Sequence, residues 1–352
     1  MRKGKRYKAY RHQLSRERSE MKKRHLPAIR RRRRRLLSRK LDIAERKRVN
    51  EKKDITKVSP SNFSLIDNTD AVVSYINDCK SLLHKKEKVI MDIENVQNLS
   101  PDAIALLVAC ANDSHFTGKY GKLSGNAPKE PKLLKLFAES GFYKFVSSSK
   151  LMKYAQKQDV NLLHKESHFQ VQPEIAKQAC LYGTKHVFSS TEPFSDLYEM
   201  IVEAMSNTNN HANKKQAGTT KWWLYTYNDP DGKTCYSFID LGVGIFDSLP
   251  VSKYKKLTNW IGISHNVDLV QDLLDGKIKS REIIDNNIRG KGIPQIAKNS
   301  QQNVFGRAYI ISNDVKINLK TRDAKKLKSN FQGTCLYWEL IKDQTNGQYL
   351  SS

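Results

Sequence analysis

The sequence predicts an α/β protein carried behind a strongly basic leader, and three observations predict it. Short β-type runs alternate with helix-type runs between residues 63 and 147. A long amphipathic segment at 194–211 is followed by a β-hairpin pattern and, much later, by a closing apolar strand. Residues 1–57 hold 25 Lys/Arg against 6 Asp/Glu, so most of the formal net charge of +26 sits there. A chain of 352 residues has room for two ordinary domains. It contains no apolar run long enough to span a bilayer and no signal-peptide pattern, so a cytoplasmic protein without a membrane span is expected. The five cysteines (Cys79, Cys110, Cys180, Cys235, Cys335) are widely spaced and form no Cys-x-x-Cys pair. They read as reduced core thiols.

The leader, residues 1–57, opens with Arg2-Lys3-Gly4-Lys5-Arg6 and contains six consecutive arginines, Arg30 to Arg35. From Leu36 onward the apolar spacing allows a helix, while unpaired like charge opposes one in isolation, so the leader is read as partly disordered or helical. Charge at this density neutralises phosphates. Contact with nucleic acid or another polyanion, weakening as salt rises, is therefore expected, with a solubilising tail as the alternative. Only Tyr7 and Tyr10 interrupt the basic run, which gives base stacking by the leader no support. A polar stretch from Asn50 to Asn62, with Pro60, reads as a linker.

Residues 63–147 read as a small α/β domain. Val89-Ile90-Met91-Asp92-Ile93 is a buried-strand pattern. Ser100-Pro101-Asp102 is a helix start, with proline in the first turn and Ser100 placed to cap. Ala103 to Ala111 is helical and apolar, Lys119 to Ser124 can be a strand, and Lys132 to Ser140 is a helix stopped by Gly141. This pattern resembles a STAS-like domain, the fold of anti-sigma-factor antagonists. The strand ending Met91-Asp92-Ile93, the loop to Leu99-Ser100-Pro101, the helix after it and Gly141-Phe142 carry the resemblance. It implies a scaffold with a protein partner. Regulated members carry a phosphorylated serine at that helix start; here Pro101 occupies the place and Ser100 lies one residue early, which argues against a phospho-switch. Residues 148–189 read as a connector in which His164, His168 and His186 lack metal-ligand spacing.

The C-terminal part carries the chemistry. Phe194, Leu197, Tyr198, Ile201, Val202 and Met205 give a helix with one core face, and Glu203, Asn207 and His211, four residues apart, form one stripe on it. By itself the stripe is equally a polar surface or the wall of a site. Thr219 to Tyr227 and Lys233 to Ile239 form a hairpin around Asn228-Asp229-Pro230-Asp231-Gly232. The second strand runs into Asp240-Leu241-Gly242-Val243-Gly244. Arg289-Gly290-Lys291-Gly292 precedes another helical stretch, so its backbone N–H groups and two cations suit an anion. Gly333-Thr334 opens the last apolar strand, which ends at Ile341.

These four blocks, in this order, resemble the GHKL superfamily of ATPases, which groups DNA gyrase, Hsp90, histidine kinases and MutL proteins. The resemblance covers residues 190–342, with 343–352 as a tail. It implies a Bergerat-type α/β sandwich, a mixed sheet with helices on one face, that binds ATP and Mg²⁺. By similarity Asn207 ligates Mg²⁺, Glu203 orients or deprotonates the attacking water, and His211 lies toward the phosphates or ribose. Asp240 accepts from the adenine amino group with support from Thr334, while Gly242 and Gly244 let the backbone approach the base. Arg289, Gly290, Lys291 and Gly292 close on the phosphates, and Phe246 to Ile288 resembles the ATP lid. The phosphoacceptor helix of histidine kinases and the lysine-supplying second domain of gyrase and MutL are not recognisable. Three functions follow: an ATPase or ATP-gated switch acting with nucleic acid, an anti-sigma-type serine kinase or partner-switching regulator, and an ATP-binding module without turnover.

Overall fold

Alternating side-chain direction explains the sheet at the centre of this protein. In Trp222–Asn228 and Thr234–Asp240, aromatic and β-branched residues fill both faces, and all seven residues of the second strand are buried. A strand with no polar face needs cover on both sides. The computed structural model, which describes residues 35–146, 162–166, 171–211, 221–249, 265–278 and 292–343, supplies that cover. The chain forms two units, Met1–Lys53 and Asp54–Ser352.

In the first unit the described residues form one helix, α1, over 35–51. Leu36, Leu37, Leu41 and Ile43 are exposed on it, among its many cations. Residues 1–34 lie outside the described residues.

The second unit begins with β1 (Asp54–Val58), β2 (Asn62–Phe63), α2 (Thr69–His84), β3 (Lys88–Asp92), β4 (Asn98–Leu99) and α3 (Pro101–Asn112). Then follow α4 (Ser114–Thr117), β5 (Lys122–Gly125) and α5 (Pro131–Glu139). Strands β1, β3 and β5 make a parallel sheet, and β2 and β4 a short parallel pair. Pro101 is at the first turn of α3 as expected, but the Ser100 hydroxyl makes no capping bond; it donates to the Phe63 carbonyl at 3.5 Å. Asp102 carries the polar burden there, accepting from the N–H groups of Leu65 (2.6 Å) and Ile66 (3.1 Å).

The remaining elements are β6 (Leu162–Glu166), α6 (Pro173–Phe188), α7 (Ser195–His211), β7 (Trp222–Asn228), β8 (Thr234–Asp240), α8 (Ile245–Ser248), α9 (Val270–Leu274), α10 (Gly292–Asn299), β9 (Phe305–Asn318) and β10 (Ala324–Leu340). The sheet order is β6-β7-β8-β10-β9, and every pairing is antiparallel rather than mixed. Two helix layers bury it. Trp222, Leu224, Tyr236, Phe238, Leu336 and Trp338 face α6, α7 and α10, while Trp223, Tyr225, Ile239, Cys335 and Tyr337 share a core with α2 and α3. The expected one-sided covering is thus two-sided. Helix α3 is buried from Asp102 to Cys110, because it lies between the antiparallel sheet and the rest of the parallel layer. Residues read as a connector contribute edge strand β6 and helix α6.

All five cysteines are free and buried, as the spacing predicts. Among the described residues no helix is long and apolar enough to cross a membrane.

Candidate functional site

Helix α7 organises the site because its polar stripe meets two other elements. Toward its start, Asp196 and Glu199 face α10: the Glu199 carboxylate accepts from Gln295 (3.0 Å) and Asn299 (2.8 Å), and Gln302 donates to Asp196. These bonds hold α10 alongside α7. One turn further on, the first residue of α10 reaches Glu203 and Asn207. A Cβ on Gly292 would lie 2.7 Å from Glu203 Oε2 and 2.8 Å from both amide atoms of Asn207, so a larger residue would push these two side-chain ends aside. Glu203 is half-buried, and burial, with the Glu199 charge adding to it, raises its pKa. Nδ2 of Asn207 is buried and has no hydrogen-bond partner among the described residues.

The next residue of the helix, Thr208, faces Asp240 at the end of β8. Asp240 Oδ1 accepts from the Gly242 N–H at 2.9 Å, and the Thr208 hydroxyl lies 3.5 Å from Oδ2. Thr334, directly opposite in the β8–β10 register, adds its own hydroxyl to the carboxylate. Burial nevertheless dominates and pushes the Asp240 pKa up to about 6. One helix therefore joins two chemically different places: an acid–amide pair beside a helix start, and a buried carboxylate at a strand end.

Two residues that no motif marks hold the glycine loop. Ser312 Oγ accepts from the Ile245 N–H (2.8 Å) and donates to the Gly333 carbonyl (2.8 Å). Asn313 Oδ1 accepts from the Phe246 N–H, and its Nδ2 donates to the Val243 carbonyl, both at 3.0 Å. Gly244 has φ +84° and packs on this amide; a Cβ there would meet Asn313 Oδ1 at 2.4 Å. Asn313 itself has φ 53°, where the β9–β10 register shifts. The available signal was the polar run Ser312-Asn313-Asp314 between the apolar stretch Ala308 to Ile311 and Val315.

Of the sequence-derived site residues, Glu203, Asn207 and Gly292 come together, and Asp240, Gly242 and Thr334 come together beside them. Gly244 lies in the loop between β8 and α8 and is held by Asn313. His211 is the last residue of α7, and its side chain lies outside the described residues. Arg289, Gly290 and Lys291 also lie outside them, as does most of the lid segment, including Gly262, Ser280, Arg281, Asn286 and Asn287.

Among the described residues no group of three or more His, Cys, Asp or Glu is arranged to hold a metal ion. The residues present suit a Mg²⁺ that keeps waters and phosphate oxygens as its main ligands. The orphaned Asn207 amide offers one neutral ligand, since a half-turn of its last bond exchanges nitrogen for oxygen. Comparison with protein-family models, with curated proteins and with solved structures finds no match.

Proposed function

We propose that this protein binds Mg-ATP in a site of the histidine kinase-like (GHKL) type and acts in the cytoplasm as an ATPase or ATP-gated switch, with its leader on nucleic acid. The observation that carries the reading is the convergence along α7 of Glu203, Asn207 and Gly292 at one place and of Asp240, Gly242 and Thr334 at the next. In this reading Asp240 accepts a hydrogen bond from the adenine amino group and Thr334 supports it. The Asn207 oxygen holds Mg²⁺, which when bound neutralises phosphate charge. The α10 N–H groups at Gly292 face the phosphates. Glu203 takes a proton from the attacking water, and burial raises its pKa, the direction that makes a carboxylate a stronger base. His211, Arg289, Gly290 and Lys291 complete the phosphate side. The Bergerat-type assignment of the sandwich and the STAS-like assignment of residues 63–147 belong to the same proposal.

The test is ATP binding and turnover by wild type, Glu203→Ala, Asn207→Ala and Asp240→Ala. Asn207→Ala is expected to lose Mg-ATP binding and Asp240→Ala to lose nucleotide binding. Glu203→Ala should bind but turn over about 10²–10⁴-fold more slowly. Equal nucleotide affinity in wild type, Asn207→Ala and Asp240→Ala would sink the assignment. Wild-type binding without turnover identifies an ATP-binding module.

One observation favours a second reading, a serine kinase or partner-switching regulator. The α/β layer that resembles an anti-sigma antagonist shares a core with the back of the sheet that carries Asp240. Transfer of labelled phosphate from ATP to a protein serine would select that reading.

A further inference from the structure

One end of the parallel sheet gathers cations around a tyrosine. β1, β3 and β5 run parallel, with Asp54, Lys88 and Lys122 in one row at their starting ends. Two turns lead into that end, one after α2 at 85–87 and one before β5 at 118–121. They are fixed to each other. The Lys122 N–H donates to the Glu87 carbonyl at 3.1 Å, and Gly121 packs so closely that a Cβ would lie 2.5 Å from the Leu83 carbonyl oxygen. Lys86 adopts left-handed backbone, with φ 62°.

The two turns and the first residue of β5 present Lys85, Lys86, Lys119 and Lys122, all exposed, around the partly exposed Tyr120. The Lys86 and Lys119 ammonium groups lie 5.4 and 4.9 Å from the centre of the Tyr120 ring. Both cations are drawn to the π-electrons of one ring, which offsets part of their mutual repulsion. Lys88 pairs with Asp54 at 2.8 Å, and Glu87 is the one acid in residues 85–88 and 118–122.

We propose that the Lys85–Lys86–Lys119–Tyr120–Lys122 patch is a binding surface for single-stranded nucleic acid, distinct in its residues from the leader. The leader supplies dense charge but almost no aromatic surface. The patch supplies what the leader lacks: exposed cations beside an aromatic ring, on which a base of any sequence stacks once Lys86 or Lys119 swings from the ring to a phosphate. The exposed large apolar side chains of the described residues are Leu36, Leu37, Leu41, Ile43 and Val58, none of them in the patch, so it has no apolar anchor for a lipid surface. The class of partner rests on the reading of the leader, while the residues do not.

The experiment uses the full chain and a fluorescent single-stranded RNA of about 20 nucleotides, titrated between about 50 and 200 mM salt. Three variants are compared with wild type: the triple change Lys85→Glu, Lys119→Glu and Lys122→Glu; Tyr120→Ala; and a leader variant with Arg30 to Arg35 each changed to Gln. Circular dichroism confirms folding. The triple change is expected to weaken binding about tenfold or more and to flatten the plot of log affinity against log salt by about 2, from three lost phosphate contacts. Tyr120→Ala should weaken binding by about fivefold or more with a smaller change in slope. Wild-type affinity and slope in the triple variant, with weakened binding in the leader variant, would overturn the patch and leave the leader reading intact. No RNA binding by wild type would overturn both. A strong effect of the triple change with none from Tyr120→Ala would make the patch a plain docking face for acidic surfaces and overturn the proposal.

Discussion

Replacing Asn313 by alanine should detach the glycine loop from the sheet. Its side chain is 1% exposed and makes two bonds to loop backbone, from Phe246 N–H and to Val243 C=O. Alanine leaves both loop groups without these partners. A buried donor or acceptor left unsatisfied costs about 1–3 kcal/mol, so the pair costs about 2–4 kcal/mol where the loop cannot reach water. The left-handed backbone at φ 53° adds about 1 kcal/mol, because alanine tolerates it less well than asparagine. The loop then escapes the penalty by opening, and in the proposed ATP-binding reading the opening must be reversed to bind nucleotide. At about 1.4 kcal/mol per tenfold, the total of about 3–5 kcal/mol should lower ATP affinity about 100-fold or more. Turnover at saturating ATP should stay within about threefold, because Glu203, Asn207 and Gly292 are held by the α7–α10 contact and do not depend on Asn313. Asn313→Gly, which suits the backbone but has no amide, separates the two terms. Fluorescence titration with ATP gives the affinity, and steady-state phosphate release gives the rate. Wild-type affinity in Asn313→Ala, in a protein where Asp240→Ala abolishes binding, would refute the reasoning.

Two further predictions concern stability. The Asp240 pKa of about 6 lies above its ordinary 3.8, so between those values the folded state binds more protons than the unfolded state. Stability should therefore fall as pH rises from about 4 to 6, with a cost of about 3 kcal/mol fully present above that range. Asp240→Asn should remove this slope in urea unfolding measured at several pH values, and identical profiles for the two proteins would count against it. In the second, Gly183 of α6 packs on Tyr236, where a Cβ would fall 1.8 Å from the hydroxyl oxygen of a side chain that is itself fully buried. Gly183→Ala should cost about 3 kcal/mol from overpacking. Adding Tyr236→Phe should recover part of that loss in urea unfolding; an unchanged midpoint in Gly183→Ala would show that the helix shifts freely.

Sequence alone determined what is written in local spacing. The i, i+4 interval of Glu203 and Asn207 puts both on one face of any helix, and that face proved to meet α10. Asp240 followed by glycines at a strand end is likewise local, as is the proline at the start of α3. The buried thiols followed from isolated cysteines, each able to act as a small apolar side chain.

Only tertiary structure decided who covers whom. Nothing within α3 announces that both its sides face protein, because an apolar helix of twelve residues reads the same under one sheet or between two. The antiparallel pairing of β8 with β10 joins residues about a hundred positions apart, and it alone sets Thr334 opposite Asp240. Ser312 and Asn313 gained their role the same way, by lying across from a loop almost seventy residues earlier. Hydrogen bonds and burial act through space, whereas periodicity acts along the chain. The sequence therefore specified the α7 stripe and the glycine loop, and the fold alone made them neighbours.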